Sequence, residues 1–216
     1  MRTGNIFLLV CCLLLAGFSS TAQRTFTEGE VVYRVQLTSP DNTTVSGLYI
    51  FTIKDAEIKK ELRLDNGYVD ITLLNCANNT VYTLQNRNGT KYAIELSMAE
   101  LLQKQQRYKG FRLAGETATN QKMAGYAAYK AQVIYADKSA TEIQYTKEWR
   151  PAQTVTFNRF PDAPYFPLSF YYNEPSGNMK FNAQKMEACP VDAAVFRIPK
   201  DYKMISYEEY KQLIQE

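Results

Sequence analysis

The chain has 216 residues, with 25 basic and 22 acidic side chains and a formal net charge of +3. That balance points neither to a nucleic-acid surface nor to a polybasic membrane patch. Histidine is absent, which removes the usual general base, the triad partner and the commonest metal ligand together.

Residues 1–22 read as a cleavable signal peptide: Arg2, an apolar run from Ile6 to Phe18, then small residues ending at Ala22. Ser20 and Ala22 sit where the processing enzyme requires small side chains for a cut before Gln23. The rival reading, an uncleaved anchor, asks for about 20 apolar residues, and this run is shorter. Val10 and Cys11 precede the cysteines of the run where a lipidation signal needs a small residue. The expectation is a single secreted β-rich domain over 23–216, in the periplasm or outside the cell, with no transmembrane segment after cleavage. Two cysteines then remain, Cys76 and Cys189. A disulfide between them would close a long loop, worth about 3–5 kcal/mol in the chain-entropy model; two buried free thiols are the alternative.

Val31, Tyr33, Val35 and Leu37 alternate with other side chains, which predicts a strand with one buried face, paired in a hairpin with Leu48–Ile53. Glu57–Leu64 reads as a strand with a solvated outer face, ended by the Asp65-Asn66-Gly67 turn. Strands follow at Tyr68–Leu74, Thr80–Gln85 and Lys91–Leu96. At Ser97 the period changes. Ser97 with Glu100 forms a capping-box pattern, Met98, Leu101, Leu102 and Tyr108 recur at helical spacing, and Gly110 marks a stop, so a helix is predicted over 98–108.

Tyr126–Tyr135 and Ile143–Tyr145 predict a second hairpin. From Trp149 to Asn173 the chain alternates prolines with aromatics, which predicts mostly loop, with an edge strand near Leu168–Tyr172. A strand at Met179–Glu187 and an extended Phe196–Ile198 come next. Ser206 and Glu209 then form a second capping-box pattern ahead of a short terminal helix carrying Tyr207, Tyr210 and Ile214 on one face. The sum is a mainly β domain of about ten antiparallel strands with one or two packed helices.

No Gly-rich phosphate loop and no Gly-x-Ser-x-Gly elbow occurs. With no histidine and two mature cysteines, no metal site and no cofactor is expected. A carboxylate-only hydrolase remains conceivable through Glu28 with Glu30, Asp55 with Glu57, or Glu116 with Glu142, although such pairs are more often solvated charges. Tyrosine and phenylalanine number 16 and 11, and aromatics beside an opening make a binding surface. Trp149, Tyr165, Phe166 and Phe170 are therefore the candidate ligand-binding residues; the plainer reading is that they plug the core.

The segments Glu28–Tyr33, Gly125–Ala131, Ile143–Trp149 and Phe196–Lys203 resemble secreted Bacteroidetes proteins of the domain of unknown function family 4412. That family is similar in outline to the periplasmic lipoprotein carriers (LolA/LolB-like). The resemblance implies a strongly curved antiparallel sheet, an open half-barrel closed by helices around an apolar interior, and no catalytic residues. The expected function is a non-enzymatic domain that binds a lipid or lipoprotein acyl chain in the concave face of its sheet. The alternative is a cell-envelope protein–protein interaction module whose apolar face is simply a filled core.

Overall fold

The computed structural model describes residues 22–174 and 177–215; the segment read as a signal peptide, Ala22 apart, lies outside them. The N-terminal half is a meander. Strands β2 (Glu28–Thr38), β3 (Thr44–Lys54), β4 (Glu57–Leu64), β5 (Val69–Asn75), β6 (Thr80–Arg87) and β7 (Thr90–Ser97) each pair antiparallel with the next. Local chemistry makes the turns. Asn88 and Gly89 both take positive φ, 51° and 82°, as a two-residue turn between β6 and β7 requires.

Helix α1 (Met98–Gln105) follows, and a 3-10 turn over Gln106–Tyr108 completes the predicted helical stretch. The Ser97 side chain accepts the Glu100 N–H at 3.2 Å, the N-terminal half of the expected box. The second hairpin forms from β9 (Tyr126–Ile134) and β10 (Ala140–Thr146). Strand β13 (Gly177–Glu187) then returns to pair with β2. Gly29 makes that approach possible: its φ is 144°, and a Cβ there would stand 2.2 Å from the Glu187 carbonyl oxygen.

The structure departs from the sequence reading in four places. The predicted edge strand is β12 (Phe166–Glu174), and it lies inside the sheet between β10 and β13. Pro167 is tolerated because it sits at the strand's second residue, where the register with β10 shifts between Gln144 and Tyr145; a bulge removes the need for an N–H. Strand β8 (Arg112–Met123) was not foreseen, because most of its side chains are exposed and it shows no apolar alternation. The stretch expected to be extended begins as a 3-10 turn, Ala193–Phe196, and short β14 (Lys203–Ser206) then adds parallel to β7. Finally, β1 (Arg24–Phe26) and β11 (Trp149–Pro151) form a small parallel pair.

The main sheet thus has twelve strands in the order β14-β7-β6-β5-β4-β3-β2-β13-β12-β10-β9-β8. Its edges, β14 and β8, do not meet, so it is a curved, open half-barrel rather than a closed one. Both edges are blunted, β14 by its four-residue length and β8 by two register shifts. Helix α2 (Tyr207–Gln215) ends the described chain. Its capping box is reciprocal: Ser206 N–H donates to Glu209 Oε2 at 2.7 Å, and Glu209 N–H donates to Ser206 Oγ at 3.2 Å. Among the described residues no helix is long and apolar enough to cross a membrane.

The C-terminal segment wraps the β14 edge. Ile198 and Tyr202 pack on the outer face over Leu73, Leu84 and Ala93, and Lys91 pairs with Asp201 at 2.6 Å. The chain then crosses through β14, and α2 turns onto the inner face, where the Tyr210 hydroxyl donates to Gln85 Oε1 at 2.6 Å.

Cys76 and Cys189 are both half-buried and unbridged. Cys76 follows β5 and Cys189 follows β13, at the same end of the sheet but four strand positions apart. At about 4.8 Å per strand that is roughly 19 Å along the sheet, well beyond the Cα separation a disulfide spans.

Candidate functional site

The inner face of the sheet is one continuous surface with two different contents. Over β2, β13, β12 and β10 it is filled. Tyr33, Phe170 and Phe181 project from these strands and Phe51 from neighbouring β3, and the proline-punctuated segment between β11 and β12 lays Val155, Phe157 and Phe160 against them. Phe170 stacks on Phe181 with ring centroids 4.7 Å apart and meets Tyr33, Phe157 and Phe160 edge-on. The buried Tyr33 hydroxyl donates to the Pro167 carbonyl at 2.7 Å, tying the sheet to the bulge.

All four aromatic residues singled out from the sequence belong to this filled half. Trp149 is 7% exposed, Tyr165 2%, and Phe166 and Phe170 0%. Trp149 packs edge-on against Phe26 and under the Arg24 guanidinium. Tyr165 lies on Tyr145, with centroids 4.3 Å apart. The structure brings them together as core, the plainer of the two readings, and leaves none of them lining the hollow described next. Trp149 Nε1 and Tyr165 Oη are buried without a hydrogen-bond partner among the described residues.

Over β4 to β7 the same face is open. Here α1 and α2 stand off the strands and leave a hollow of about 430 Å³, within the range of ligand-sized cavities. Strand register lays its floor in rows. Leu74, Val81 and Leu96 face one another across β5–β7 as an apolar row, continued beyond the hollow by buried Ile58 of β4. The next row inward is Lys60, Thr72, Thr83 and Ile94. Asp70 and Gln85 lie one row further on, and Leu101, Tyr207 and Tyr210 come down from the helices.

Lys60 is the unusual member. Its side chain is 6% exposed, and its ammonium donates to the Val155 carbonyl at 2.7 Å and, more weakly, to Asn158 Oδ1 at 3.4 Å. Burial pushes its pKa down to about 7, and the nearby Cys76 thiol opposes this in part. Asp70 shifts toward the neutral form for the same reason: burial holds its carboxyl above the usual range, against the hydrogen bond from the Thr83 hydroxyl at 3.2 Å. Burial likewise raises the Cys76 thiol and the Tyr49 phenol at the hollow's rim.

A second cavity of about 500 Å³ lies at the C-terminal end of α1 and shares Leu101, Lys104 and Asn158 with the first. A third cavity, about 310 Å³, is lined by Thr25 and by the Arg150–Pro164 segment, Phe157 and Phe160 included.

The carboxylates weighed for hydrolysis are engaged elsewhere. Glu28 binds Lys54 at 3.0 Å and accepts the Val191 N–H at 2.8 Å. Glu116 takes Lys147 at 2.5 Å together with the Tyr145 hydroxyl, and Glu142 pairs with Lys130 at 2.6 Å. Sequence reasoning missed Lys60, Asp70, Thr72, Thr83 and Gln85. A signal existed: these polar residues stand in phase with Ile58, Leu74 and Val81, on the face that period two assigns to the interior. No protein-family model and no curated protein matches the chain.

Proposed function

We propose that the chain is a non-enzymatic binding domain, working outside the cytoplasm, that takes a lipid or lipoprotein acyl chain into the concave side of its sheet. The observation that carries this reading is the hollow on the inner face: an apolar row of Leu74, Val81 and Leu96, roofed by α1 and α2, beside a volume of about 430 Å³. A fully packed interior would have no room for a ligand, and over β2, β13, β12 and β10 the inward face is covered by Phe157 and Phe160. The site lies over β4–β7 rather than at Trp149, Tyr165, Phe166 and Phe170.

Solvent extraction and native mass spectrometry of protein purified from its own cell envelope test the proposal. Lipid should accompany the wild-type chain and be lost from Leu96→Trp, which fills the hollow. Lipid-free wild-type protein would count against it. An interaction module remains the second reading, favoured by exposed Met204, Tyr207 and Ile214 near the C-terminus.

A further inference from the structure

One carboxylate in the hollow over β4–β7 has no cation. Asp70 lies near the start of β5, half-buried, and its Oδ1 accepts the Thr83 hydroxyl at 3.2 Å. Burial raises its carboxyl, the Thr83 and Gln85 side chains oppose this, and no ammonium or guanidinium acts on it. It forms no ion pair among the described residues. The two lysines that share the hollow are not its partners. Lys60 gives its ammonium to the Val155 carbonyl at 2.7 Å, and Lys104 is exposed on α1, one turn beyond Glu100. A carboxylate taken part-way out of water with no counter-charge costs free energy, and a bound cation would remove that cost.

The surroundings of Asp70 suit such a cation. Thr72 and Thr83 pair across β5 and β6 in the adjoining row, where their hydroxyl oxygens can accept hydrogen bonds. The Tyr210 hydroxyl donates to Gln85 Oε1 at 2.6 Å, which holds the Tyr210 ring of α2 one side chain away from Asp70. Burial raises the Tyr49 phenol and the Asp70 charge adds to it, so this ring also stands close by. Tyrosine rings attract ammonium groups. Asp70, Thr72, Thr83, Gln85, Tyr49 and Tyr210 all line the one cavity of about 430 Å³, and none of the six is fully buried.

Resting on the function proposed above, we infer that the occupant of this hollow is an amphiphile whose polar end is a primary ammonium group. The ammonium pairs with the Asp70 carboxylate, donates its other protons to the Thr72 and Thr83 hydroxyls, and lies beside Tyr49 and Tyr210. The first methylenes of its chain pass Leu96 and Leu101, both only half-buried.

Displacement of a fluorescent apolar probe by decylamine, decanol and decanoic acid at neutral pH tests this. Decylamine should bind about tenfold more tightly than decanol, the increment of one charge-assisted hydrogen bond, and decanoic acid more weakly than either. Asp70→Asn keeps the shape and an oxygen for Thr83, and should remove the amine's advantage over the alcohol. Glu100→Gln, at an exposed carboxylate on the rim of the same hollow, should leave that advantage in place. The wild-type comparison stands whether or not either variant folds. Equal affinity for amine and alcohol, a preference for the acid, or an advantage that survives Asp70→Asn or falls as far with Glu100→Gln overturns the inference and leaves the acyl-chain reading standing. Failure of all three ligands to displace the probe overturns both.

Discussion

The halves of the inner face, β2–β13–β12–β10 and β4–β7, belong to one sheet and follow the same period, yet one is solid and the other hollow. The difference lies in what covers them. The aromatic loop between β11 and β12 drops Phe157 and Phe160 directly onto the first half. Over the second, α1 and α2 span the strands while threonines and Asp70 keep the floor low. A sheet is indifferent to which half is filled; the covering segment and the size of the inward side chains decide it.

The largest test of this contrast is a pair of truncations. Phe170→Ala removes a fully buried ring with several aromatic neighbours and should lower stability in urea by about 3–5 kcal/mol. Leu96→Ala removes a half-buried side chain that already faces the hollow, and should lower it by only about 1 kcal/mol. Equal losses would show that the second half is packed as tightly as the first.

Lys60 tests the polar floor. Its pKa falls from 10.5 unfolded to about 7 folded, so the unfolded chain holds the extra proton between those values and stability rises with pH across that window. Below about pH 7 both states are protonated and the penalty is complete. Stability should therefore climb between pH about 7 and 9, before the unfolded chain's tyrosines begin to ionise near pH 10 while those buried in the fold stay neutral and reverse the trend. Lys60→Met should flatten the climb and raise stability at pH 7 by about 2 kcal/mol. Urea titrations of both proteins across that range measure this, and a flat wild-type profile contradicts a buried, neutralised amine.

The smallest effect concerns the roof. Ser206→Ala removes the hydroxyl arm of the α2 capping box, leaves the backbone N–H of residue 206 on Glu209, and should lower stability by about 1 kcal/mol. Amide exchange should quicken in α2 and leave β12 and β13 unchanged. Exchange that quickens equally in all three would mean that the roof and the packed half form one cooperative unit.

Much of the architecture was legible beforehand. The hairpins β2–β3, β6–β7 and β9–β10, the side-chain cap at Ser97 and the capping box at Ser206 follow from neighbours a few residues apart, so a linear reading finds them. Strand β8 escaped because its exposed side chains carry no alternation. Strand β12 was misplaced at an edge because Pro167 argues against an interior strand, and only the register shift opposite it, contributed by β10, removes the objection. The aromatic candidates were recognised as a cluster, but a ring has the same chemistry in a wall as in a plug. A hollow in the concave face was expected, but its place over β4–β7 and its polar lining went unread, since Lys60, although in phase with Ile58, has the composition of a solvated strand residue.

The amino-acid sequence by itself determined the strand periods, the turn residues and the helix caps, because each depends on interactions between residues close along the chain. Tertiary structure alone decided that β13 returns to β2, that Phe170 is core rather than surface, that Cys76 and Cys189 stay apart, and that Lys60 is enclosed. Local period gives the face a side chain takes, but how deeply it is buried depends on what a distant segment places over it.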